Sequence, residues 1–254
     1  MANLADRLRM LVELRSENFD LIRAKANDSV KDRNGSSTNM LALDLRFFAV
    51  ADYYLKHDVD SFQRQLTEAA ELDIGLFLRH AAGEPIDDSY VSMLSYKSLF
   101  NALAAKNRDV AKRLALNMGG RDVLEKKYDH PFDYVMGYTL RAFVLNDFTE
   151  MERWLPKLFV ACEQHKLTDL LGYAQVFQAI LEKDSLLANE GFQSIVRGHV
   201  RQAKANRIFA NTIDEILCIW GIGMANLAAA RQLQIAAIPP LLPGDLINPT
   251  DIRE

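Results

Sequence analysis

The sequence predicts an all-α protein, an irregular stack of antiparallel helical hairpins that is TPR-like or α-solenoid-like, with about ten helices and an extended proline-rich C-terminal tail. Apolar residues recur with a period near 3.6 along almost the whole chain, and no run of comparable length alternates with period two. Seven prolines and twelve glycines are few for 254 residues, and they cluster. Long helices separated by short turns therefore fit the pattern best.

Three segments carry the clearest helical stripes of apolar residues. The first stripe consists of Phe132, Val135, Met136, Thr139, Leu140 and Phe143. The second consists of Met151, Trp154, Leu155, Leu158, Phe159 and Cys162. The third consists of Ile213, Ile216, Leu217, Trp220, Met224, Leu227 and Ala228. The stretch 42–55 is apolar on most of its circumference, which predicts a helix packed on several sides.

The breaks divide one predicted domain, 1–254, into three parts. An N-terminal helix and the polar loop 31–39 make up 1–39, the hairpin body follows over 40–237, and the tail covers 238–254. Within the body, Asp88 or Ser89 is placed to cap a helix and Pro131 to occupy a first helical position. The prolines of the tail predict that it is not helical, and Leu241, Leu242, Leu246 and Ile247 are its predicted anchors.

A recurring turn suggests the hairpin stack. Four apolar helices end in a short polar turn with an aspartate, at Asp58, Asp109, Asp147 and Asp184, and each aspartate can cap the next helix. The last two steps between them are 38 and 37 residues, near the period of stacked helical hairpins. The units share little sequence identity, so the prediction is an irregular stack.

Composition limits the compartment and the partners. Hydrophobic residues are 49% and charged residues 25% of the chain, typical of a folded globular protein, and the net charge of −4 argues against a general nucleic-acid binder. Charges interrupt the N-terminal stretch, so no secretory signal is predicted, and no window is apolar enough for a membrane span. Cys162 and Cys218 are far apart, which argues against a disulfide framework. The predicted compartment is the cytoplasm.

No pattern of residues indicates catalysis, a cofactor or a metal site. Cys162 and His165 have a possible ligand spacing, but no second pair completes a tetrahedral site, and the spacing favours a buried cysteine and a helix-ending histidine. His199 lies on an apolar stripe and is predicted to be a core histidine whose ring nitrogens are satisfied by hydrogen bonds. Gly221 and Gly223 follow a helical stripe rather than a strand, which favours close helix packing over a dinucleotide loop.

Charge segregation gives the candidate binding surface. The segment 58–88 contains eight acidic residues and only two arginines, whereas residues 97–127 are mainly basic. The predicted partner-binding residues are Glu68, Glu71, Glu84, Asp87 and Asp88. One alternative is that the acidic and basic regions neutralise each other within the chain. Arg197, Arg201 and Lys204 form a basic ridge, but without exposed aromatics to stack on bases it is not assigned to nucleic acid.

The C-terminal segment is the most distinctive part. Asp214-Glu215 is followed by Ile216-Leu-Cys-Ile-Trp220-Gly-Ile-Gly-Met-Ala-Asn-Leu227 and the proline-rich Ile238-Pro-Pro-Leu-Leu-Pro-Gly-Asp-Leu-Ile247. It resembles the end of the immunity-49 family of bacterial polymorphic-toxin immunity proteins, and segments 99–109 and 138–147 resemble the paired helices of that family. The resemblance implies a protein that binds and neutralises a cognate toxin without catalysis.

The sequence leaves two other functions open. One is a helical-repeat scaffold or adaptor that binds a peptide or a regulatory protein in the concave face of its stack, and the other is an α-helical enzyme. The predicted partners are the cognate toxin and, as a further possibility, a second copy of the chain in a homodimer, with no nucleic acid and no membrane. A deep polar pocket with perturbed carboxylates or histidines would favour the enzyme.

Overall fold

A computed structural model describes residues 4–204 and 206–247, and the described part of the chain is all-α, as predicted. These residues form twelve α-helices, four short 3-10 helices and no β-strand. The α-helices span Leu4–Ala26 (α1), Ser36–Lys56 (α2), Val59–Ala81 (α3), Tyr96–Ala104 (α4), Arg108–Asn117 (α5), Asp122–Tyr128 (α6), Pro131–Leu145 (α7), Phe148–Gln164 (α8), Leu171–Glu182 (α9), Ser185–Gln202 (α10), Ile219–Ala229 (α11) and Gly244–Ile247 (α12).

Tight turns join three of the helix pairs that pack extensively on each other and are neighbours in sequence: α2 with α3, α7 with α8, and α9 with α10. Each of these turns has a residue with positive φ, followed directly by an aspartate that caps the next helix. The aspartates are Asp58, Asp147 and Asp184, whose side chains accept from backbone N–H groups of the first helical turn. The capping prediction is therefore confirmed at these three positions.

The fourth predicted cap, Asp109, is wrong by two residues. Lys106 has positive φ, and Asn107 directly after it accepts from the Val110 N–H at 3.1 Å. Asp109 lies in the first turn of α5, where its carboxylate pairs with Arg113. The position after the positive-φ residue decides which side chain caps the helix, and asparagine serves there as well as aspartate.

Two loop boundaries also differ from the sequence prediction. Helix α2 begins at Ser36, inside the predicted loop 31–39, because the buried Asp32 carboxylate accepts from the Ser37 N–H at 2.6 Å and so holds the start of the helix. After α3, Asp87 rather than Asp88 or Ser89 is the capping residue, and it accepts from the Ser89 N–H at 2.9 Å. Pro131 is at the start of α7, as predicted.

Helix α11 is buried on all sides, and this corrects the prediction of a single stripe over 213–228. Residues Ile213–Glu215 form a separate 3-10 turn, and α11 begins only at Ile219. It packs against α4, α9 and α10, with nearly every side chain inaccessible. A Cβ added to Gly223 would lie 2.3 Å from the Phe100 carbonyl oxygen, so this glycine allows the close helix approach that the sequence predicted.

The tail is partly helical, contrary to the prediction. Ile238 and Leu242 form an isolated antiparallel bridge, and Gly244–Ile247 form one helical turn. Proline is tolerated before and within a first helical turn, so the prolines at 239, 240 and 243 do not prevent it. Three predicted anchors, Leu242, Leu246 and Ile247, are buried, whereas Leu241 is partly exposed. Residues 248–254 of the predicted tail lie outside the described residues.

Candidate functional site

An open cleft of about 1190 Å³ is lined by residues of α1, α2, α4, α11 and the segments that connect the helices. Helices α1 and α2 form one wall, and α4, α11 and the segment 206–216 form the opposite one. The walls are mainly apolar, through residues such as Leu11 and Phe47. Met40, Leu43 and Ile208 line the cleft and are about half exposed, at 50%, 50% and 56%. The cleft therefore presents accessible apolar surface.

Aromatic side chains make the floor of the cleft rigid. The Trp220 ring lies 5.1 Å from that of Phe209 and 5.4 Å from that of Tyr96, both in edge-on contacts, and it stacks on Phe100 at 5.8 Å. The buried Tyr96 hydroxyl donates to Asp133 at 2.8 Å, and burial raises the Tyr96 pKa well above its usual value. Interlocked rings of this kind hold a surface in one shape.

Most charged groups at the cleft have partners within the chain. Arg46 of α2 forms an ion pair with Asp73 of α3 and donates to the Ser98 hydroxyl of α4 at 2.9 Å. Arg15 of α1 pairs with Asp44 of α2. Arg7 pairs with Glu215, which lies next to the lining residues, at 3.1 Å. The contacts of Arg46 and Arg7 join the two walls, the Arg15 pair joins α1 to α2, and together they leave few charges for a ligand.

Lys97 and Asp214 are the exceptions, since neither forms an ion pair in the described part of the chain, although the Thr212 hydroxyl donates to the Asp214 carboxylate at 3.5 Å. The Lys97 Nζ atom lies 5.8 Å from the Trp220 ring centre, and among the described residues it forms no ion pair within 4 Å. Burial raises the pKa of the Asp214 carboxyl to about 6, and the positive charge of Lys97 opposes that rise. The cleft thus contains one ammonium group and one carboxyl group that titrates near neutral pH.

The His199 ring forms a hydrogen bond to the backbone of Asp214. Its Nε2 atom lies 2.5 Å from the Asp214 carbonyl oxygen, and since a carbonyl only accepts, Nε2 carries the hydrogen. The ring stacks on Phe209 at 4.6 Å, and burial lowers the His199 pKa to about 4. The prediction of a core histidine is confirmed, although its buried Nδ1 atom has no hydrogen-bond partner among the described residues.

The five predicted partner-binding residues lie away from the cleft, on α3 and the loop after it. Three are held by arginines of the same chain: Glu68 by Arg23 at 2.9 Å, Glu71 by Arg113 and Glu84 by Arg79 at 2.7 Å. Asp87 caps its own turn, and Asp88 lies 3.6 Å from His80. These contacts favour the alternative in which opposite charges neutralise each other within the chain.

The remaining candidates from the sequence are Cys162, His165 and the basic ridge of Arg197, Arg201 and Lys204. Cys162 is buried in α8, which raises its pKa to about 11, and His165 ends that helix. In residues 4–204 and 206–247 no group of three or more His, Cys, Asp or Glu residues is placed to hold a metal ion. Of the basic ridge, Arg201 pairs with Asp169. Arg197 and Lys204 are exposed.

Comparisons with known proteins identify no relative: no family model, no curated protein and no solved structure matches the chain. None of the helices in the described part is long and apolar enough to cross a membrane. The cleft itself was not found from the sequence, because Lys97 and Asp214 lie far apart in the chain. The one usable signal was Trp220, since the segment that carries the family resemblance supplies the cleft floor.

Proposed function

We propose that this chain is an immunity protein of the immunity-49 type, which binds a cognate toxin that acts in the bacterial cytoplasm and neutralises it stoichiometrically. The resemblance of the C-terminal segment supports this function. The observation that carries the proposal is the position of that segment: the Trp220 helix forms the floor of an open, mostly apolar cleft. A segment of the toxin inserts there and is held away from its target.

The character of the cleft favours a protein ligand. At about 1190 Å³ it exceeds the roughly 300–1,000 Å³ of most small-molecule pockets, and it is open rather than enclosed. Its arginines are neutralised by neighbouring carboxylates, so it offers apolar contacts and few free charges. Half-exposed apolar residues such as Met40 and Leu43 are typical of surfaces that a partner covers.

The test is rescue from toxicity. The chain is co-expressed with the product of the reading frame immediately upstream of its gene, tested as the candidate toxin, and the Kd of the purified pair is measured. Leu43→Arg and Ile208→Arg each place a charge in the cleft, and each is expected to weaken binding at least about tenfold, equal to 1.4 kcal/mol, and to abolish rescue. Val123→Arg on α6, at a residue 87% exposed and outside the cleft, is the matched control.

The possible results distinguish a wrong function from a wrong binding site. A wild-type chain that neither binds nor rescues contradicts the immunity function. Normal rescue by both cleft variants contradicts the assignment of the cleft and leaves the function to another surface.

An adaptor that binds a peptide is the alternative from a different class, and the same open cleft supports it. The inner side of α4, α9 and α10 is already occupied by α11, so a peptide would bind between α1, α2 and the segment 206–216 instead. The absence of a toxin gene beside this one, together with peptide binding that Leu43→Arg abolishes, would favour the adaptor.

Asp214 is the observation that favours the enzyme alternative, because a carboxyl with a pKa near 6 suits acid–base work. Asp214→Asn separates catalysis from binding. An immunity protein with this substitution still rescues cells at equimolar expression, whereas an enzyme that destroys a toxic product loses its protection.

A further inference from the structure

We propose that the outer face of α1 is the docking surface for a basic protein, with a groove bordered by lysine and arginine. This proposal rests on the proposed function, and the basic protein is the toxin. The surface, called the α1 outer face below, consists of Met10, Glu13, Leu14, Glu17, Asp20 and Leu21. At about 100° per residue these positions fall within roughly 120° of the helix circumference.

The first observation is accessible apolar surface. Helix α1 lies at the edge of the structure with α2 as its principal neighbour. Met10, Leu14 and Leu21 are 60%, 57% and 54% exposed. Their spacing of i, i+4 and i+11 places them in one row, the arrangement by which a helix inserts its anchors into a partner's groove. A single exposed leucine is unremarkable, whereas three in one row on an edge helix form a patch.

The second observation is that the acidic side chains beside this row form no ion pair within the described part of the chain. Glu13, Glu17 and Asp20 are exposed, and among the described residues none forms an ion pair within 4 Å. This contrasts with Glu68, whose carboxylate is held by an arginine. Unneutralised acids attract a basic partner over a Debye length of about 8 Å at physiological salt.

The arginines of α1 explain why its outer face is acidic. Arg7 reaches Glu215, Arg15 reaches Asp44 and Arg23 reaches Glu68, so all three contact other parts of the chain. Arg9 pairs with Asp6 near the helix start. Lys25 is exposed, but it lies in the last turn, beside the patch rather than within it. The helix is nearly neutral in sequence and yet acidic on its outer side.

The α1 outer face also continues into the cleft. Arg7 and Leu11, on the neighbouring side of the same helix, line the cleft next to Met10 and Leu14. A partner that covers the outer face therefore reaches the cleft mouth with an adjacent segment. Nucleic acid does not fit this surface, because its phosphates would be repelled by the three carboxylates.

The experiment measures association of the full chain with a catalytically inactive form of the upstream-encoded toxin, at about 50 and 300 mM salt. The variant E13K/E17K/D20K is expected to lower kon at least tenfold at low salt and to remove its salt dependence. M10S/L14S/L21S is expected to raise koff at least tenfold, since the anchors are lost. All six residues are exposed or edge positions, so circular dichroism and Tm should match the wild type.

The matched control is E84K/D87K/D88K, which makes the same change of charge at the loop after α3. It is expected to change kon less than threefold. The proposal is overturned if the α1 variants associate like the wild type, or if the loop variant alone loses binding, and in both cases the immunity function stands. If the wild-type chain does not bind the toxin at all, the proposed function fails and this docking surface fails with it.

Discussion

The close approach of α11 to α4 gives a prediction whose sign is not obvious. Ordinarily, replacing a helical glycine by alanine stabilises a helix by about 0.5–1 kcal/mol. At Gly223 the added Cβ would lie 2.3 Å from the Phe100 carbonyl oxygen, and the backbones must separate by about 0.7 Å to reach even 3.0 Å. The obstacle is backbone and cannot rotate away. Overpacking of this kind costs about 1–3 kcal/mol, and a backbone clash belongs at the upper end.

The clash cost of about 3 kcal/mol is offset in part by the helix gain of about 0.5–1 kcal/mol, so Gly223→Ala should lower the free energy of unfolding by about 2 kcal/mol. Tm should fall by roughly 4–8 °C for a chain of this size. Urea denaturation and calorimetry measure both quantities. Gly75→Ala is the matched control, because a Cβ at that helical glycine of α3 has no neighbour within 4 Å. It should raise stability by about 0.5–1 kcal/mol. Equal or higher stability of Gly223→Ala than of the wild type would refute the packing of α11 against α4.

Two further predictions concern charged groups near the cleft. Arg46→Met leaves the buried Asp73 carboxylate without its partner and should cost about 3–5 kcal/mol in urea unfolding, whereas the double variant R46M/D73L should recover most of it. Because burial raises the Asp214 pKa to about 6, its contribution to stability is present below pH 4 and is lost as the pH rises through 6. Asp214→Asn should therefore raise Tm at pH 7.5 and change it little at pH 4. His199, with its lowered pKa, has the opposite slope in both proteins and cancels from the difference.

The parts of the fold that the sequence predicted correctly depend on neighbouring residues. Asp58, Asp147 and Asp184 cap their helices through contacts two or three residues away, and such contacts can be inferred from spacing alone. The error at Asp109 also concerns neighbouring residues, because Asn107 occupies the capping position and accepts from the backbone N–H of Val110 in the role that the sequence predicted for Asp109. Periodicity likewise identified α7 and α8, whose apolar stripes are largely buried.

The parts that were missed depend on residues distant in sequence. The stripe predicted over 213–228 gave only one face of α11, whereas helices α4, α9 and α10 pack around it. Apart from Asn226, residues 219–229 are apolar or small, which indicates burial on all sides but not which helices supply it. The cleft could not be predicted for the same reason, because its residues are distant in sequence. Lys97 was counted only as one member of a basic stretch, and its proximity to Asp214 and Trp220 arises from tertiary packing.

Charge counting along the sequence takes no account of ion pairs that form within the folded chain. The segment 58–88 carries the largest excess of acids, yet Glu71 and Glu84 are held by Arg113 and Arg79. A carboxylate already paired within the chain exerts only a weak electrostatic field on a partner. Exposed ion pairs contribute at most about 1 kcal/mol to stability. Helix α1 is nearly balanced in sequence, but Arg7, Arg15 and Arg23 pair with carboxylates elsewhere in the chain. Its exposed acids Glu13, Glu17 and Asp20 form no ion pair among the described residues. The unpaired charge, not the summed charge, determines which surface attracts a basic protein, and this is the physical reason for proposing α1 as the docking surface.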